Sequence, residues 1–105
     1  MARSLSKANH RRNVQFNSYD SAAAAEAGLK KYVEAMAKLG ATTEADTAAR
    51  FPATFVTTKR GSGEMYVVKG NVLLGAGVAT VSPDGTVVPL RDRSRALLAA
   101  ALSKL

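Results

Sequence analysis

The sequence predicts an α+β domain: an N-terminal helix over about 21–39, a short helix, a four-stranded antiparallel meander over about 53–90 and a C-terminal helix, all preceded by an extended basic arm over 1–19. Three observations carry this expectation. Residues 21–39 are alanine-rich and place large apolar side chains at helical spacing. Residues 64–90, EMYVVKGNVLLGAGVATVSPDGTVVPL, are dense in β-branched and aliphatic side chains and are cut into three pieces by two turn signals. The last stretch, 91–105, carries leucines and alanines at intervals of three and four.

Taken in order, residues 1–19 are polar, with Leu5, Val14 and Phe16 as the sizeable apolar side chains and no helical or strand period. They predict either a disordered tail or an arm that orders on a partner, the second with Val14, Phe16 and Tyr19 docking its base. Asp20 or Ser18 offers an oxygen to the free amides of the first helix. Ala22, Ala23, Ala24 and Ala25 supply high helix propensity, and Leu29, Tyr32 or Val33, Met36 and Leu39 form the apolar stripe. Glu26 with Lys30 and Glu34 with Lys38 are i, i+4 pairs in the favourable orientation. Gly40 is placed to end the helix in the left-handed conformation.

Thr43 followed by Asp46 resembles a weak capping box, so a short helix is expected over 44–50, stopped by Phe51-Pro52. Strands follow at 53–59, 64–69, 72–81 and 86–90, separated by Arg60-Gly61-Ser62-Gly63, Gly70-Asn71 and Pro83-Asp84-Gly85. Gly75 and Gly77 inside the third of these mark a bulge, a bend or a close backbone approach, and Pro89 puts the last at a sheet edge. Asp92 or Ser94 is expected to cap the final helix, whose stripe is Leu98, Ala101, Leu102 and Leu105. Short connections make the strands a meander, with both helices covering one face.

At 105 residues the chain fits one domain, with 1–19 as an arm and 20–105 as the body. It has no cysteine, so neither disulfides nor thiolate metal sites contribute. No apolar run reaches the ~18 residues of a membrane span, and no secretory h-region is present. The expected setting is cytoplasmic or within an assembled particle, not secretion through a signal peptide.

The formal charge of +7 is unevenly placed. Residues 1–19 carry Arg3, Lys7, Arg11 and Arg12 and no acid. Residues 20–90 balance their acids and bases, and 91–105 carry Arg91, Arg93, Arg95 and Lys104 against Asp92. A neutral body with basic ends points to an anionic or acidic partner. Arg93 and Arg95 also sit in a helical first turn, where the dipole disfavours them, so carboxylates or a partner must compensate. The candidate contact residues are therefore Arg3, Lys7, His10, Arg11, Arg12, Lys59, Arg60, Arg91, Arg93 and Arg95.

Catalytic patterns are sparse. His10 is the only histidine and has cationic neighbours, and no serine lies in a nucleophile elbow. Glu26 and Glu34 have lysine partners, and no carboxylate pair is announced by spacing. Gly75-Ala76-Gly77 is only a partial dinucleotide fingerprint, because a strand rather than a helix follows it. Phe55 and Tyr66 lack the surroundings of a sheet-based RNA reader. No cofactor and no catalytic or metal-ligating residue is expected.

These observations predict a non-enzymatic structural subunit of a multi-subunit assembly, such as a virion-type or nucleoprotein particle. Its partners would be other protein subunits, self or heterologous, and not a membrane. The alternative is a small nucleic-acid-binding protein that contacts the phosphates of DNA or RNA.

Overall fold

A computed structural model describes residues 9–58 and 63–105, with side chains described from Arg12 onward in the first of these segments. The elements in order are β1 (Asn9–Ser18), α1 (Ala22–Lys38), β2 (Thr42–Asp46), β3 (Ala53–Thr57), β4 (Gly63–Lys69), β5 (Val72–Val81), β6 (Val87–Pro89) and α2 (Arg91–Leu102). The fold is mixed α+β, with two helices and a six-stranded antiparallel sheet.

The sheet is ordered β1-β5-β4-β3-β2, and β6 adds to β5. β5 is the axis. One edge of it pairs with β1 along its whole length, from Val72 opposite Ser18 to Val81 opposite Asn9. Its other edge is shared, with β4 opposite Val72–Ala76 and β6 opposite Ala79–Val81. The expected meander of β3, β4 and β5 is present, and the Gly70 turn has φ +58°, the left-handed value that glycine adopts without a Cβ penalty.

Two expected elements are corrected. Thr42–Asp46 is a strand paired with β3, not the start of a short helix over 44–50. The weak capping signal loses because β3 has a free edge to pair, and because Asp46 at the strand's end meets two arginines of α2. Residues 9–18 of the expected arm form β1, so the sheet extends beyond the four expected strands on both sides. Pairing with β5 satisfies a row of amides on a strand that is otherwise buried.

The helices lie on opposite faces of the sheet, which corrects the expectation that both cover one face. On one side Leu29, Tyr32, Val33 and Met36 of α1 pack against Val56, Tyr66 and Leu73. On the other, Leu98 and Ala101 of α2 pack with Phe55, Met65, Val67, Leu74 and Ala76. Successive side chains of a strand point to opposite faces, so neighbours such as Met65 and Tyr66, or Leu73 and Leu74, each need their own cover.

The helix ends follow local chemistry. Ser21, rather than Asp20 or Ser18, caps α1 by accepting from the Ala24 amide at 3.1 Å. At the other end the Gly40 and Ala41 amides donate to the Ala37 and Met36 carbonyls, each at 3.0 Å, with Gly40 at φ 90°. This is a Schellman closure, and it realises the expected glycine stop. α2 begins one residue before Asp92, with Leu90 as its N-cap and no side-chain cap. Ser94, the other expected cap, is buried and serves β5 instead. Its hydroxyl accepts from the Val78 amide at 2.9 Å and lies 2.9 Å from the Leu90 carbonyl, to which it donates.

Candidate docking edge and its basic flank

Among the described residues β1 is the outermost strand on its side of the sheet. In an antiparallel ladder, alternate residues turn their amide and carbonyl toward the neighbouring strand. The Tyr19 amide donates to the Asn71 carbonyl at 2.8 Å, so odd-numbered residues of β1 face β5. On β5, the Val78 amide is bound by Ser94, so even-numbered residues there face away from β1. Both observations fix the same phase. The backbone groups of Arg12, Val14 and Phe16 therefore point out of the sheet edge.

Side-chain direction follows from the pairing too. Arg12, Val14 and Phe16 sit opposite Val78, Ala76 and Leu74, which puts them on the α2 face. Val14 is 39% and Phe16 55% exposed, so α2 leaves this part of the face uncovered. On the α1 face, Asn13 and Gln15 sit opposite Gly77 and Gly75. The glycines keep the surface there low, because a Cβ at Gly75 would lie 2.5 Å from the Tyr66 ring and one at Gly77 would lie 2.9 Å from the Glu64 Cγ. Over this floor the Glu64 carboxylate accepts from Asn13 Nδ2, and from Gln15 Nε2 at 3.2 Å. Its other oxygen accepts from the Tyr66 hydroxyl at 2.7 Å. The register of Asn13 through Phe16 against β5 is unbroken, so Gly75 and Gly77 mark a close approach of side chains rather than a bulge.

Glu64 thus lies with Tyr66 and Tyr32, whose hydroxyls share a hydrogen bond of 3.1 Å. Burial is the main cause that pushes the Tyr66 phenol up from its ordinary range, with the bonds to Tyr32 and Glu64 adding to it. It remains a neutral donor at physiological pH, and the carboxylate is held among an amide, another amide and a phenol.

The basic residues divide into engaged and unengaged groups. Arg95 places Nη2 2.8 Å from Asp46 Oδ1 and Nε on Oδ2, and Nη1 3.0 Å from Asp92. Arg91 is 2.9 Å from Glu44 and 3.4 Å from Asp46, with its guanidinium 5.1 Å from the Phe55 ring centre. The Arg95 hydrogen bond is the leading cause that holds the buried Asp46 carboxyl below the ordinary carboxylate range, and it outweighs desolvation. The same bond raises Arg95 further above its already high range. Carboxylates therefore answer the unfavourable position of Arg95 at a helix start.

Arg12 and Arg93 have no carboxylate partner among the described residues and line one groove of about 400 Å³ with Val78, Ala96 and Leu97. The fold brings these two candidates together from opposite ends of the sequence. His10 and Arg11 lie on β1 by backbone, with side chains outside the described residues, and Arg3, Lys7, Lys59 and Arg60 also lie outside them.

No protein-family model matches the chain, and neither the curated proteins nor the solved structures give a match. Function is read from this geometry alone.

Sequence reasoning missed Asn13, Gln15 and Glu64 as a set. The available signal was the alternation of Val14 and Phe16 with Asn13, Gln15 and Asn17, a strand period hidden by the arginines before it.

Proposed function

We propose that this protein is a non-enzymatic structural subunit of a multi-subunit assembly, and that β1 is its docking edge. The observation that supports this reading is the ten-residue strand Asn9–Ser18, paired on one side only among the described residues and carrying exposed Val14 and Phe16. A long edge strand with outward amides and carbonyls is a template for another strand. Natural edges are usually blunted by proline, a bulge or brevity. β1 has no proline and an unbroken register, and charge is its one protective device. Its N-terminal half supplies that charge and holds no acid, so an incoming strand bringing more positive charge there is disfavoured.

Sedimentation of the full chain over a wide concentration range tests this reading. Association that strengthens with concentration and weakens at least tenfold in Phe16→Lys is expected. A monomer at every concentration, alone and with candidate partner subunits, would overturn it.

The groove of Arg12 and Arg93 favours a second reading, phosphate contact with DNA or RNA. Binding that weakens steeply between 50 and 200 mM salt, about tenfold or more for a few contacts, is expected on that reading. Salt-independent binding, or none, would count against it.

A further inference from the structure

We infer that the occupant of the β1 edge is the β1 edge of a second copy, paired antiparallel about a two-fold axis through Val14. This rests on the docking-edge reading above and adds the partner, the symmetry and the register.

The phase of the backbone restricts the choice. Outward amides and carbonyls belong to the even-numbered residues of β1, so a second copy must bring its own even-numbered residues opposite them. An antiparallel pair of identical strands satisfies this only when its axis passes through a residue, not between two. The strand Asn9–Ser18 then pairs over its greatest length with the axis at Asn13 or at Val14.

Side chains decide between the two. With the axis at Val14, Val14 meets its own copy, Asn13 meets Gln15, and Arg12 meets Phe16 across the ladder. Both exposed apolar residues are covered, and each Arg12 guanidinium lies against a partner ring, which attracts a cation. Arg11 stands opposite Asn17, so no like charges face one another. With the axis at Asn13, Val14 meets Arg12 instead, and the two apolar side chains do not meet across the strands. With the axis at Arg12 the two guanidiniums oppose each other, and the charge repels the pair. Since Glu64 fixes Asn13 and Gln15 on the α1 face, the edge presents this pattern already ordered.

The chain contains no cysteine, so single introduced thiols report the axis directly. In the pairing about Val14, the two copies of position 14 form a hydrogen-bonded pair with Cα atoms about 5.5 Å apart, within disulfide reach. Under mild oxidation Val14→Cys is expected to give a linked dimer as its main product, and Asn13→Cys little or none. In the unmodified protein, amide exchange of Arg12, Val14 and Phe16 should slow at least tenfold as concentration rises, with the β5-facing amides of Gln15 and Asn17 unchanged. The exchange measurement needs no substitution, so it stands even if a thiol variant folds poorly. Linking through Asn13→Cys in preference to Val14→Cys overturns the register. Concentration-dependent association without protection of Arg12, Val14 and Phe16 overturns the self-paired edge while leaving the assembly reading intact. Absence of self-association overturns the self-paired edge, and the assembly reading falls with it only if candidate partner subunits also fail to bind.

Discussion

Glu64 of β4 binds Asn13 of β1 across the intervening strand β5, over the bare backbone of Gly77. Two strands that do not touch in the sheet are thus tied by one carboxylate. The tie is specific to one register, because a one-residue slip of β1 would turn Asn13 and Gln15 to the other face. β1 is thereby held to the sheet from its α1 face.

Glu64→Ala should therefore loosen β1 and also leave the Tyr66 hydroxyl with Tyr32 as its remaining partner. A loss of about 1.5–3 kcal/mol is expected in urea denaturation, the net worth of hydrogen bonds to a charged acceptor. Glu64→Gln keeps a carbonyl acceptor and should lose less.

Gly75→Ala should be destabilising by about 1–3 kcal/mol, since its Cβ would lie 2.5 Å from Tyr66 Cε1 and overpack the site. The effect should be coupled to the ring. In a Tyr66→Val background, which removes the clashing atoms, the same glycine substitution should cost at least about 1 kcal/mol less in a double-mutant cycle.

Ser94→Ala should cost about 1–3 kcal/mol. Val78 sits where β4 has left β5 and β6 has just begun, so its amide has the Ser94 hydroxyl as its partner. Thermal melts should show a shift of about 4–8 °C for each kcal/mol lost in a domain of this size.

Asp46 predicts an acid limb in stability. Its carboxyl is held below its unfolded value by Arg95 and Arg91, so the ionised form is bound more tightly in the folded state. Its contribution is complete above the unfolded value, about 3.9, and is lost as pH falls through the lower folded value. The arginines stay charged throughout. Melting temperature against pH should fall below about pH 4, and Asp46→Asn should be less stable at pH 7 with a flatter acid limb.

Much of the fold was legible locally. α1 follows from its alanines, its apolar spacing and Gly40, and β3 to β6 follow from β-branched runs between glycine and proline turns. Double-sided burial of β4 and β5 was also present in Met65-Tyr66-Val67 and Leu73-Leu74, whose neighbours are apolar at both parities. That pattern requires cover on both faces and was the signal against placing both helices on one.

The sequence by itself determined the helices, the central strands and their turns, because these depend on propensity and periodicity within a few residues. Only the tertiary structure decided β1 and β2, since each has weak local preference and forms by taking up a free edge of a stronger strand. The same holds for the sorting of the arginines. Arg91 and Arg95 are drawn to Asp46 and Glu44, while Arg12 and Arg93 are left to face one groove. Those carboxylates lie more than forty positions away along the chain, and charge pairing depends on distance in space.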